Sequence, residues 1–192
     1  VIELGMVSQG LRAYLAVAGG FAVTPQFGSV STVLREGIGG LNGNKLQSGD
    51  VLTTQEVTQL PRLSLPLAYR PQFNRVLTLR LVEGYQAESF SVTERQRFYL
   101  NSYKVTPQAD RMGYKLKGAA IQCQQTQLLS EGICYGAVQI PPDGQPIVLL
   151  NDRQTLGGYP KIGSVLMMPL GMDAVATIAP ESKSRLCNVC PL

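Results

Sequence analysis

Apolar and polar positions alternate most cleanly just after Arg75, where Leu77, Leu79 and Leu81 are separated by Thr78 and Arg80. A period of two puts the three leucines on one face and predicts a half-buried strand. Downstream, Ser91-Val92-Thr93-Glu94 has the spacing of a capping box. There a hydroxyl and a carboxylate satisfy the free N–H groups of a first helical turn, so a short helix is predicted through about Tyr99. Short apolar runs predict further strands at Tyr103–Val105, Met112–Leu116, Gly118–Gln122, Ala137–Ile140, Ile147–Leu150 and Val165–Leu170. Upstream, residues 12–18 (Arg-Ala-Tyr-Leu-Ala-Val-Ala) read as a strand ended by Gly19-Gly20. Turn signals follow at Asn42-Gly43 and Ser48-Gly49-Asp50. Ala/Leu/Glu/Lys helical runs are missing, so the fold class predicted is mainly β, with one or two short helices.

Glycine and proline punctuate this pattern. Pro61, Pro66 and Pro71 fall in a stretch with little periodicity, which disfavours both helix interior and central strand. A boundary near Arg70 divides the chain into residues 1–70, part of a first β module with a Pro-rich linker, and residues 71–192, a second β module. Within the second module, Glu131 to Ser164 holds six Gly and four Pro. There Pro141-Pro142-Asp143-Gly144-Gln145-Pro146 separates two apolar pieces and predicts a strand–turn–strand hairpin. A polar loop through Asn151–Thr155 and Gly157–Lys161 follows. A faint echo aligns Leu15, Pro25, Gly28, Ser29 and Val30 with Leu150, Pro160, Gly163, Ser164 and Val165. It suggests two related modules sharing one strand–loop–strand corner. Val1, where an initiating Met would stand, reads as entry into the middle of a longer parent.

Composition narrows the chemistry. The 192 residues are 44% hydrophobic and carry a net charge of +4, with Lys and Arg scattered. No basic stripe interleaves with aromatics, so nucleic acid is not an expected partner. No apolar run is long enough for a membrane span and no signal-peptide pattern opens the sequence, so the expected compartment is the cytoplasm. The chain has no His. That removes Ser-His-Asp and Cys-His nucleophile arrangements and every His-based metal site. Cys187 and Cys190 form a C-x-x-C close to the end, where a frayed tail suits a rigid metal site poorly; an incidental tail and no metal are expected. Cys123 and Cys134 read as small core residues.

Chemistry must then come from carboxylates, amines, guanidinium groups, amides and phenols. Asp152-Arg153 leaves a predicted strand for a Gly-rich loop, where Asp152 can serve as base or anchor and Arg153 can grip a carboxylate or phosphate. The same pair can instead cap loop backbone and close a β corner. Asp110-Arg111 repeats the pairing before the strand at Met112. Facing one cleft, the two pairs make an anion-handling site; facing each other, they pin two loops. Gly157-Gly158-Tyr159-Pro160-Lys161 offers backbone N–H groups, a phenol and an amine, without the spacing of a nucleotide-binding P-loop. Glu131 is an additional carboxylate. The expected site is therefore Asp110, Arg111, Asp152 and Arg153 as catalytic groups, with Glu131, Gln139, Gln154, Tyr159 and Lys161 binding substrate.

Several long motifs carry a family resemblance. They are Glu131-Gly132-Ile133, the run Gly136 to Pro146, Asp152-Arg153-Gln154-Thr155 with Gly157 to Ile162, Asp110 to Tyr114, and Arg12 to Gly20. Over nearly all of residues 10–186 the chain resembles the biotin-dependent carboxyltransferase-like family called allophanate hydrolase subunit 2 or KipA, whose bacterial members are mostly assigned as the C subunit of 5-oxoprolinase. The resemblance implies cyclophilin-like β-barrel modules and a partner of the KipI, or allophanate hydrolase subunit 1, type. With a third subunit the assembly hydrolyses the 5-oxoproline lactam to glutamate at the expense of ATP. Two other roles occur among relatives: a carboxyltransferase component of urea carboxylase, and a non-catalytic regulator that binds a kinase inhibitor. The sequence departs from the family in three places. A Gln-Asp-Leu-Gly-Arg type motif is missing, Val30 replaces an Arg, and no biotinyl-lysine motif occurs, so no covalently attached biotin is expected. A piece of this length is expected to be inactive alone. Without His or Trp the usual prolyl isomerase pocket cannot be assembled.

Overall fold

A computed structural model describes residues 1–3, 5, 13–55, 63–69, 76–125, 128–166 and 186–191. The chain divides into two compact units, one of residues 13–70 and one of residues 71–192 joined by the first twelve.

The larger unit is a closed β-barrel. Its strands are β1 (Val76–Glu83), β2 (Ser102–Ala109), β3 (Gly113–Lys117), β5 (Ala137–Gln139), β6 (Ile147–Leu149), β8 (Lys161–Val165) and β9 (Leu186–Pro191). A separate two-stranded ribbon pairs β4 (Glu131–Gly132) with β7 (Leu156–Gly157). Around the barrel the order is β1-β8-β5-β6-β3-β2-β9, and β9 closes it by pairing with β1 in parallel. A mainly β fold built on a barrel is what the sequence pattern and the resemblance led one to expect.

Alternation explains the interior. Leu79 and Leu81 of β1, Tyr103 of β2, Tyr114 and Leu116 of β3, Val138 of β5, Val148 of β6 and Ile162 of β8 all point into one buried cluster. Fully burying one such side chain stabilises the fold by about 1.5–3 kcal/mol, so the barrel is held by its inward stripe. The helix α1 (Val92–Leu100) contributes Phe98, which stacks edge-on with Tyr99 and tilts against Tyr103 at 5.7 Å. Its N-cap is Ser91, whose hydroxyl accepts the Glu94 N–H at 3.3 Å. The Glu94 carboxylate does not return to the cap; it accepts the Gln122 N–H at 2.8 Å and pairs with Arg97. Only half of the predicted box is formed, and the other half ties the helix to the loop after β3.

The predicted hairpin is formed by β5 and β6, with Val138 opposite Val148 and Gly144 at φ +70° in the turn. Four expectations need correction. Residues 118–122 are not a strand: Ile121 is buried, but its N–H goes to the Gly144 carbonyl rather than to a ladder. The strand expected over Val165–Leu170 shares only Val165 with β8, which runs Lys161–Val165; residues 167–170 lie outside the described set. The C-x-x-C stretch is no loose tail, since Leu186–Pro191 pairs with both β1 and β2. A backbone with two neighbours is ordered by its hydrogen bonds whatever its side chains.

The fourth correction concerns the smaller unit. Residues 13–18 form no strand, and Tyr14 and Leu15 are exposed; residue 12 is outside the described set. No described neighbour supplies the ladder partner a strand needs. This unit is held by isolated bridges, such as Phe21 with Thr54, and by turns rather than by a core. Among its described residues only Gly39 and Gly43 are buried. The echo does not survive as structure either. Gly28 sits at φ +75° in a turn closed by Gln26 and Ser29, whereas Gly163 lies inside β8.

Candidate functional site

β8 enters the barrel irregularly. Val138 pairs with Gly163, but Gln139 pairs with Lys161, so Ile162 is an extra residue buried in the core. Such a bulge re-aims its neighbours. It places Lys161 beside Gln139 on the outer surface of the sheet while Ile162 fills the interior. Gly163 then passes β1 so closely that a Cβ would collide with the Val82 carbonyl and the Leu81 side chain.

Over this surface lies a cleft of about 410 Å³, lined by Glu83, Tyr85, Gln86, Glu131, Cys134, Lys161 and Ser164 among others. Gly84 ends β1, and a 3-10 turn (Tyr85–Ser89) carries Tyr85 and Gln86 to one wall. The β4–β7 ribbon supplies the other, with Glu131 opposite Gly157. Glu131 is the polar centre. Its carboxylate accepts hydrogen bonds from the Tyr85 hydroxyl and the Gln86 amide, and Lys161 Nζ stands 2.5 Å from Oε1. Gln86, itself buried, binds both sides: its amide donates to Glu131 and its Oε1 accepts the Lys161 backbone N–H at 2.8 Å.

The Lys161–Glu131 contact is a close charge pair, with Lys161 Nζ shielded from solvent. Gln139 Nε2 is buried without an acceptor. Also lining the cleft, Cys134 Sγ and Ser164 Oγ lie 3.0 Å apart. Cys134 is exposed, which corrects its reading as a core residue. Cys123 does pack on the core, half-buried, and burial raises its thiol pKa.

The Asp-Arg pairs form a separate cluster. Asp110 Oδ1 accepts the N–H groups of Met112 and Gly113 at 2.8 and 3.1 Å, an Asx-type turn before β3. Arg111 grips Asp152 with both arms, at 2.7 and 3.2 Å, and the Asp152 N–H donates to the Arg111 carbonyl. Arg153 spends its guanidinium on backbone: Nε on the Ile133 carbonyl at 3.0 Å and Nη1 on the Leu150 carbonyl at 3.3 Å, 5.9 Å from the Tyr135 ring centroid. Of the expected site residues, then, Glu131 and Lys161 meet in the cleft and Gln139 lies beside Lys161 in the ladder. Gln154 and Tyr159 are exposed on the loop between. Asp110, Arg111, Asp152 and Arg153 come together around the two loops, and Arg153 reaches the segment that carries Glu131 and Cys134.

Sequence reading missed Tyr85, Gln86, Cys134 and Ser164. The Gly after β1 marks a turn that presents polar side chains, but nothing in the order of residues brings that turn to Glu131. Among the described residues no group of three His, Cys, Asp or Glu is placed to hold a metal. The glycine loop offers no phosphate cradle: Gly157 is in the ribbon, and a Cβ on Gly158 would lie 2.7 Å from the Leu128 carbonyl. Its neighbouring cation, Lys161, already faces Glu131. Among the described residues no helix is long and apolar enough to cross a membrane.

Residues 1–187 match the family described as carboxyltransferase domain, subdomain A and B. The C subunit of 5-oxoprolinase from Escherichia coli is 40% identical over 166 residues, 86% of this chain and 53% of that protein. Its counterpart of the same name from Haemophilus influenzae is 35% identical over 172 residues, 89% of this chain and 54% of that protein. The chain thus spans about half the length of these relatives. The crystal structure of Kluyveromyces lactis urea carboxylase superposes with a TM-score of 0.82 at 25% identity, covering 97% of this chain and 18% of that one.

Proposed function

Because the chain belongs to the carboxyltransferase domain family, we propose that it is part of a 5-oxoprolinase subunit that opens a lactam in an ATP-dependent complex. The observation that carries this reading is the 40% identity to the C subunit of a 5-oxoprolinase, well above the 25% shared with the urea carboxylase of nearly the same fold. We assign it a cytoplasmic setting, a KipI-type partner subunit and a third subunit. ATP belongs with the partner subunit in this reading. Biotin is not attached to this chain in the same reading.

The Glu131–Lys161 cleft is the substrate site in this proposal. The Lys161 ammonium can polarise a carbonyl oxygen, Glu131 can accept a proton from water or an amide, and Tyr85 and Gln86 hold Glu131 in place. The cluster of Asp110, Arg111, Asp152 and Arg153, the other candidate for catalysis, supports the cleft by fixing the loops around it.

The test is reconstitution of the whole subunit with its partner subunits and measurement of glutamate formed from 5-oxoproline with and without ATP. ATP-dependent glutamate release is expected, with a loss of at least roughly a hundredfold in the Lys161→Met complex, the scale of a removed oxyanion donor. Carboxylation of urea by a carboxybiotin carrier would support instead the carboxyltransferase role, which the urea carboxylase fold keeps in view. Tight assembly with no turnover would support a regulatory one.

A further inference from the structure

The barrel carries a second concavity that shares no residue with the Glu131 cleft. Where β2 meets β3, Val105 pairs with Leu116 and Ala109 with Tyr114, so Thr106, Pro107 and Gln108 together oppose Lys115 alone. A bulge of this kind bends its strand away from the ladder. The Thr106 hydroxyl pins it, donating to the Lys115 carbonyl at 2.9 Å and accepting the Gln108 N–H at 3.2 Å. The groove beside it measures about 540 Å³ and is lined also by Lys117, Asp143 and Gln145. Gln145 is fixed in turn by Gly118, whose N–H its side chain accepts at 2.9 Å. Both walls are therefore set before any ligand arrives.

Charge is distributed unevenly along this groove. Next to the bulge on the same ladder, Lys104 stands directly opposite Lys117, and both are exposed. Side chains at opposed positions are close neighbours, and like charges placed there are destabilising. The ion pairs among the described residues include neither lysine. Farther along, Lys115 is neutralised by Asp143 at 2.7 Å. Two ammonium groups thus adjoin a groove whose remaining lining is uncharged or already paired. A uniformly charged polyanion would set its phosphates against Asp143 with no cation left to meet them. No aromatic side chain lines the groove for a base to stack on either. A peptide with its acidic residues grouped and uncharged residues beyond them fits both parts.

We propose that this surface docks an acidic segment of a protein partner: adjacent carboxylates sit between Lys104 and Lys117, and the uncharged residues that follow lie in the groove along the bulge. The like-charge pair is then a binding feature, since an incoming carboxylate relieves the repulsion that the free protein carries. The docking surface is independent of the lactam-opening reaction, because it uses no residue of the Glu131 cleft.

The experiment uses the whole subunit at low ionic strength and follows the fluorescence anisotropy of a fluorescein-labelled peptide, Glu-Glu-Ser-Thr-Val-Pro. The same peptide with Gln for both Glu is one control, and labelled oligothymidylate of equal length is the other. The acidic peptide is expected to bind severalfold more tightly than either. The double variant Lys104→Gln with Lys117→Gln should lose that advantage, and Lys45→Gln, an exposed lysine of the smaller unit, should keep it. Denaturant unfolding separates binding from structure: either single change to Gln should leave the midpoint at or above the parent's, because it removes a like-charge pair. Equal affinity for the two peptides, a double variant that binds like the parent, or no binding of the acidic peptide overturns the docking surface. So does a lowered midpoint in both single variants, which would make the lysines structural. Tighter binding of oligothymidylate overturns it in favour of nucleic acid. None of these readouts involves turnover, so this inference and the proposed reaction can fail separately.

Discussion

Arg153 is the residue whose replacement separates scaffold from chemistry most cleanly. Its guanidinium donates to the carbonyls of Ile133 and Leu150, and both of those residues are buried. Truncation to Ala leaves these carbonyls without the charged donor. A hydrogen bond from a charged group contributes about 1.5–3 kcal/mol, and the second bond is longer, so Arg153→Ala should cost about 2–3 kcal/mol. Asp152→Asn should cost far less. The Arg111–Asp152 pair has its side chains 49% and 29% exposed, and exposed pairs contribute about 0.2–1 kcal/mol. Denaturant unfolding of the two variants and the parent measures both numbers. A further readout follows from Ile133 lying between Gly132 and Cys134 of the cleft wall: Arg153→Ala should speed methylthiolation of Cys134, and Asp152→Asn should not. Equal stability losses in the two variants would refute the argument. So would an Arg153→Ala protein with unchanged stability and labelling but no turnover, which would make Arg153 a catalytic group.

Two other outcomes follow from particular contacts. Gly163→Ala should destabilise the barrel by about 1–3 kcal/mol in the same unfolding assay, because the new methyl would meet the Val82 carbonyl, a backbone atom that cannot turn aside. The Asp143 carboxyl is held below its ordinary pKa mainly by the hydrogen bond from Lys115, at 2.7 Å. A depressed carboxylate stabilises the fold above its unfolded pKa of about 3.9, and that contribution fades as pH falls through the folded value. The difference in unfolding midpoint between parent and Lys115→Met should therefore be steady near neutrality and shrink below about pH 4; a difference that stays unchanged well into the acid range would contradict it.

How much of this was legible depends on the range of the interaction. The alternation of Leu77, Leu79 and Leu81 fixes a strand locally, and Ser91 fixes a helix start, because both act within a few residues. The 141–146 turn is legible for the same reason: Pro and Gly set their own backbone angles. Strand pairing is not local. Residues 13–18 and 186–191 are both apolar enough for strands, yet only the second forms one, since β1 and β2 offer it hydrogen-bonding edges. Nothing in Leu186-Cys187-Asn188 announces that. The Asp-Arg pairs were legible as residues and ambiguous as geometry. Arg111 and Asp152 cross between loops 41 positions apart, and only the fold decides whether they face a cleft or each other.

The polar centre lies outside the packed core. The inward stripe is filled by Tyr103, Tyr114, Leu81 and Ile162. Polar groups on a closed sheet must therefore gather on its outer face, under whatever chain folds back over it. Here the cover is the two-residue ribbon of β4 and β7 together with the turn after β1, and the bulge at Ile162 turns Lys161 toward both. Removing the bulge would return Lys161 to the strand's regular alternation and take it away from Glu131. The irregularity in β8, rather than any single side chain, is the feature that converts a packed barrel wall into a site.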